Sequence, residues 1–253
     1  MKRLITILPL LSLIVISCYR EPPPPYAEAG VDLNPAFVGE YVRFTSYSTN
    51  ADYVEWDMDD DYTYNTGVVD HFFEDPGWYD VTLSAYGING GVSTAVIPME
   101  VIGSIITIEV REYWDEYLIP DVEIHLFESY EDWYDLNWDK AIGPFYTDSY
   151  GEVTIDGLSY KKYYVDAYYR VGNEGYSNEI LGIEDVYYIE TQLLTGWEHH
   201  YFTAYVDAVE WPAEKSTETR KERIPLSPAD GQLKSTGDRV KKENKSSVER
   251  ERK

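Results

Sequence analysis

The chain has 253 residues, with 46 Asp and Glu against 21 Lys and Arg, a formal net charge of −25, and aromatic residues at 15% of its length. That length holds one large domain or two ordinary ones, and the charge argues against nucleic acid as a partner of the folded part. A single cysteine excludes an intramolecular disulfide framework and any multi-cysteine metal site.

The first segment reads as a targeting sequence. Lys2 and Arg3 precede an apolar run from Leu4 to Ile16, shorter than the roughly 20 residues that span a bilayer as a helix. The run ends in Val15-Ile16-Ser17-Cys18, which resembles the bacterial lipobox. The resemblance implies a signal peptide over 1–17, a lipid on Cys18, and anchoring in the cell envelope. Tyr19, not Asp, follows the cysteine, so it implies the outer membrane in a two-membrane bacterium. More than one acyl chain makes such anchoring long-lived. Pro22 to Pro25 then form a polyproline II spacer that closes a linker over 18–25.

Residues 26–103 carry period-two patterning. Tyr41–Thr45, Tyr53–Asp57 and Tyr79–Tyr86 alternate, bounded by Asn50, Asp75-Pro76-Gly77 and Gly87–Gly91, which predicts short strands in a small β-sandwich. Three runs in order (residues 27–50; Val54-Glu55-Trp56-Asp57-Met58-Asp59-Asp60-Asp61; His71 through Pro76-Gly77-Trp78-Tyr79 to Gly91) resemble a polycystic-kidney-disease (PKD) domain, an immunoglobulin-like module. The resemblance implies a structural hydrogen-bonding role for His71. Trp56, Phe72, Phe73, Trp78 and Tyr79 read as core and corner residues. The sequence departs from the family at Asp57, Asp59, Asp60 and Asp61, which stand where the family has a glycine-containing turn. Alternating carboxylates on a loop suit Ca²⁺; a solvated acidic turn is the plainer reading. No other cofactor is expected.

Residues 104–210 start a second sandwich after a linker of a residue or two, so the two are expected to sit end to end with limited hinge freedom. Predicted strands are Ile105–Val110, Val122–Phe127, Gly151–Ile155, Tyr163–Tyr169 and His200–Val206. The series Pro120-Asp121-Val122, Thr147-Asp148 with Gly151, Gly157-Leu158 and Tyr163-Tyr164-Val165 resembles the carboxypeptidase-regulatory-like, transthyretin-like sandwich, which implies a non-catalytic stalk or binding platform. Between two of these strands lies an aromatic and acidic insertion, 128–139, with no clean period. Trp133, Tyr134 and Trp138 there are candidates for stacking on sugar rings, with Asp132, Asp135 and Asp139 accepting hydroxyl hydrogen bonds; the two Trp residues tucking the loop onto the sandwich is the plainer reading. Residues 172–179 read as a structural loop.

His71, His125, His199 and His200 are the histidines, and adjacent strand positions put His199 and His200 on opposite faces. No metalloprotease, nucleophile-elbow or phosphate-loop motif is present, so the chain reads as a non-enzyme. Residues 212–253 hold twelve basic and eight acidic side chains and 1–21 a net +2, which leaves 22–211 with 37 acidic and six basic, a net −31. The tail, 211–253, is apolar-poor and expected to be disordered. The sequence therefore predicts an all-β protein: two tandem immunoglobulin-like sandwiches anchored by lipid in the envelope. Its expected role is a binding or adhesion module with a glycan or an envelope protein as partner. The alternative is a spacer or accessory subunit of an envelope complex.

Overall fold

The computed structural model describes residues 21–172, 174–210 and the pair 224–225. Cys18, the expected signal peptide and nearly all of the basic tail lie outside the described residues.

The first sandwich uses eight strands: β1 (Ala29–Val31), β2 (Ala36–Phe37), β3 (Val42–Ser46), β4 (Tyr53–Asp57), β5 (Thr63–Tyr64), β6 (Val68–His71), β7 (Gly77–Tyr86) and β8 (Val92–Ile102). One sheet has the order β1-β3-β6 and the other β2-β8-β7-β4-β5. All pairs are antiparallel except β2 with β8. Alternation builds the core between them: Val42 and Phe44 on β3, Val69 on β6, Val81 and Leu83 on β7, and Met99 and Val101 on β8 are buried. Trp56 on β4 is fully buried, and its indole N–H donates to the Thr66 carbonyl at 3.1 Å, so the polar tip is satisfied inside the core. Tyr79 OH donates to the Asp75 carbonyl at 2.7 Å, the tyrosine corner of immunoglobulin-like sandwiches. Of the expected core and corner residues, Trp78 departs: it lies on the outer side of β7 and is 70% exposed.

The second set is β9 (Ser104–Glu112), β10 (Glu123–Phe127), β11 (Ile142–Tyr146), β12 (Glu152–Leu158), β13 (Tyr164–Val171), β14 (Glu174–Ser177), β15 (His199–Glu210) and β16 (Ile224–Pro225), with short helices α1 (Tyr130–Tyr134) and α2 (Glu179–Glu184). The strand order is β11-β10-β13-β14-β15-β9-β12, with β16 on the end of β15. β15 is long enough to serve both halves: His199–Val206 pair in parallel with β9, and Ser177 to Glu174 of β14 pair with Asp207–Glu210. The sheet thereby folds over a core of Ile106, Ile108, Val110, Ile124, Leu126, Val165, Ala167, Phe202, Ala204 and Val206. The reverse face of β10 and β13 is covered by α1, through Phe127, Trp133 and Ile189, while Leu181 of α2 packs with Tyr113, Tyr188 and Tyr205 against β15. The expected loop at 172–179 is instead partly strand, because β14 fills the gap between β13 and β15.

The junction is short and clasped. Gly103 alone separates β8 from β9, and a Cβ there would meet the Gly157 backbone at 2.6 Å. Tyr160 N–H donates to the Glu74 carbonyl at 2.7 Å, and Gly196 N–H to the Val38 carbonyl at 3.2 Å. Tyr160 packs against the first core beside Phe72, with ring centres 5.7 Å apart. Among the described residues no helix is long and apolar enough to cross a membrane.

Candidate functional site

The aromatic insertion packs onto the sandwich through Trp133 and does not present the candidate platform. Ser129 caps α1, accepting from Asp132 N–H at 3.1 Å, and one helical turn later Trp133 points inward. It is fully buried, and its indole N–H donates to the Val165 carbonyl at 3.2 Å. Its ring is therefore core and has no face to offer a sugar. Tyr134 is half-buried against Tyr130, with ring centres 5.8 Å apart. Trp138 is 44% exposed, but its ring packs at 4.9 Å from that of His125. Asp132 accepts from Ser129 OH at 2.7 Å, from the Asn137 amide at 2.9 Å and from the Lys140 ammonium at 3.0 Å. Hydrogen bonds from Ser129, Lys140 and Asn137 hold its carboxyl down at about 2. It braces the helix. Asp135 and Asp139 are exposed, at the end of α1 and in the next turn. The Ser129-x-x-Asp132 spacing is a capping signal that marks α1 in the sequence, although five residues are too few to show a period.

The acidic turn after β4 also spends its carboxylates locally. Asp57 accepts from Asp59 N–H at 3.0 Å, and Asp59 from Asp80 N–H at 3.0 Å. Asp60 bonds His71 Nε2 at 2.7 Å. Asp59 and Asp61 take left-handed backbone, φ +63° and +71°, the conformation that glycine adopts most freely and Asp tolerates. Met58, between Asp57 and Asp59, is fully buried and pins the turn. Among the described residues no three Asp, Glu, His or Cys side chains converge as a metal-binding group.

The turn instead forms one wall of a cleft of about 340 Å³. The cleft opens where β5 and β6, edge strands of the two sheets, face each other. Its rings are Tyr41, Tyr62, Tyr64, Phe72 and Tyr79, and its carboxylates are Asp60, Asp70, Glu74 and Asp75. Tyr41 and Tyr62 are 67% and 58% exposed. Tyr41 meets the Phe72 ring edge-on at 5.1 Å. At the back, His71 is buried, with Nε2 on Asp60 and Nδ1 at 3.0 Å from Tyr64 OH. A carboxylate only accepts, so Nε2 carries the proton toward Asp60. Both ring nitrogens are engaged, and His71 ties the acidic turn to β6 as the resemblance implied. Burial, then Asp60, pushes the Tyr64 phenol up; burial, then Asp75, Asp60 and Asp59, does the same to Tyr79. Asp70 is held below the usual carboxylate range by the Arg43 guanidinium, which bonds it at 2.7 and 2.9 Å. Chemically, the cleft offers ring faces for stacking and oxygen acceptors beside them.

The other histidines are also engaged or packed. His199 contacts Thr107 Oγ1 at 2.8 Å, while His200 bonds Gln192 at 2.7 Å and Thr195 N–H at 2.8 Å. The two rings face different partners, as strand alternation requires. His125 lies 3.6 Å from Glu123 and under Trp138. The sequence reading missed the cleft because its residues come from separate segments and each reads as a strand or turn position.

Residues 23–101 match the family model of the PKD domain. No curated protein matches the chain. Among solved structures, the chain is similar to a carbohydrate-binding module of the β-sandwich superfamily, at 15% identity and a TM-score of 0.32, over 62% of this chain and 58% of that one. It is also similar to the major pilin subunit of Bacillus cereus, at 11% identity and a TM-score of 0.27, over 72% and 70%. A solution structure from Methanosarcina mazei gives 22% identity and a TM-score of 0.28, over 40% and 72%. The chain thus spans 58% of the length of the first of these.

Proposed function

We propose that this chain is a lipid-anchored, non-enzymatic binding module of the cell envelope, that its ligand contact is the cleft on the first sandwich, and that the ligand is a glycan. The observation that carries the reading is the pairing of exposed Tyr41 and Tyr62 rings with Asp60, Glu74 and Asp75 at one concave site. Sugar rings have apolar C–H faces that stack on aromatic rings and hydroxyls that donate to carboxylates. The buried, doubly engaged His71 reads as a brace rather than a base. The anchor rests on Lys2, Arg3, the apolar run and Cys18. Its test is Cys18→Ser: release of the protein from the membrane fraction supports the anchor, and unchanged fractionation removes it.

The ligand reading is tested by screening the folded protein on a broad glycan array, with a Tyr41→Ala, Tyr62→Ala double variant alongside. A hit that the double variant loses supports the reading. A blank array, with the protein folded and a protein partner captured in its place, sinks it.

A second reading, a spacer or accessory subunit, is favoured by the single-residue link at Gly103 and the Tyr160 contacts. On that reading the two sandwiches set a fixed distance from the membrane.

A further inference from the structure

We infer that the cleft selects a ligand bearing a protonated amine, an amino sugar, over a neutral or acidic glycan. This rests on the glycan reading above and narrows it. Two of the cleft's carboxylates are already committed. Asp70 is held by Arg43 through two hydrogen bonds, and Asp60 by His71. Glu74 and Asp75 are the two less committed acids on the rim. Asp75 meets Lys161 at 3.8 Å, but that ammonium lies nearer Glu128, at 3.2 Å. The Glu74 side chain is exposed and lines the cleft, and its structural role is carried by its main-chain carbonyl, which accepts from Tyr160.

Rings stand next to these acids. Phe72 lies two positions before Glu74 and touches Tyr41, and both rings line the same cleft as Tyr62. Glu74 and Asp75 line the same cleft as these rings, so a ligand laid on the rings lies beside both acids. An ammonium there gains twice, from charge-assisted hydrogen bonds to carboxylate and from the negative ring faces. An N-acetyl group in its place gains neither, and a uronate is repelled. The field in the cleft has this sign: carboxylates push up both the Tyr64 and Tyr79 phenols after burial does. The surrounding chain adds to it, since residues 22–211 hold 37 acidic against six basic side chains.

The test is calorimetric titration of the whole mature chain with four probes of matched length. These are a glucosamine tetramer, an N-acetylglucosamine tetramer, a galacturonate tetramer and tetralysine, at about pH 5.5, where carboxylates are ionised and the sugar amine keeps its proton. The glucosamine tetramer is expected to bind at least about tenfold more tightly than the N-acetylated one, with no binding of the galacturonate. Glu74→Gln with Asp75→Asn should bring the two sugars level. Both substitutions leave the main-chain carbonyls that bond Tyr160 and Tyr79 in place, and an unchanged melting temperature confirms that the variant is folded. Equal affinity for the two sugars overturns the amine selectivity while the glycan reading stands. Binding of neither sugar overturns both. Tetralysine binding as tightly as the glucosamine tetramer overturns the amino-sugar assignment in favour of a basic peptide.

Discussion

The ring of Tyr160, in the second sandwich, fills the space that a side chain on Gly39, in the first, would occupy. Gly39 has φ +75°, and a Cβ built on it overlaps that ring. The fit is what brings Tyr160 N–H to the Glu74 carbonyl and its ring to Phe72. Two residues far apart in the chain thus support Phe72 and Glu74, which line the cleft.

Substitution on either side of this contact should loosen the junction. Gly39→Ala introduces both a strained left-handed residue and a clash, and Tyr160→Ala removes a half-buried ring. Each is expected to cost about 2 kcal/mol, with increased protease cutting near residue 103. Denaturant unfolding of the two single variants and the double checks this. The double should cost less than the sum, since both remove one contact; simple additivity would separate the two residues energetically.

Trp133 and Trp138 sit five residues apart and should behave differently. Trp133→Ala empties a fully buried site and should cost about 3–5 kcal/mol. Trp138→Ala, on an exposed ring, should cost less than about 1 kcal/mol. Stable Trp133→Ala protein with a lost ligand would restore the insertion as a binding platform.

The strands were legible because one face of each is buried. Tyr79–Tyr86 alternates in sequence, and in the structure Val81, Leu83 and Ala85 point inward. The eleven-residue β8 was not, since Pro98 within it argues against a strand and its Ser and Ala are weak strand markers. Trp78 read as core because it is large and next to the corner tyrosine, but the pleat turns it outward. The insertion's composition gave its aromatic and acidic character without saying which ring turns inward. The cleft was invisible for a different reason. Tyr41, Tyr62, Phe72 and Glu74 meet only when two edge strands close on each other, and no local pattern records that.

Acid should weaken the cap of α1 selectively. Asp132 has a folded-state carboxyl depressed to about 2 by Ser129, Lys140 and Asn137. A depressed carboxyl contributes stability that is present above its unfolded value near 3.9 and is lost as pH falls through the folded value. Between about pH 5 and pH 2, wild-type protein should therefore lose more stability than Asp132→Asn. Parallel acid titrations followed by tryptophan fluorescence check this; identical curves would remove Asp132 from the cap.

Divalent cations should raise the melting temperature of the full chain by screening, not by filling a site. The acidic turn does not gather three ligands, while residues 22–211 hold 37 acidic and six basic side chains and so repel themselves. Ca²⁺ and Mg²⁺ in the millimolar range (an order-of-magnitude choice) should give equal shifts, reproduced by a monovalent salt at higher ionic strength. A shift specific to Ca²⁺ and abolished by Asp59→Asn would establish a calcium site at the turn.

The central claim is that the cleft on the first sandwich is where the ligand sits. It is tested most directly by two-dimensional NMR of the whole chain, titrated with the strongest hit from the glycan array. The expected result is chemical-shift change clustered on residues 41, 62, 64 and 71–75, absent from the Tyr41→Ala, Tyr62→Ala variant. Changes centred on Tyr134 and Trp138, with the double variant binding as wild type, would contradict it.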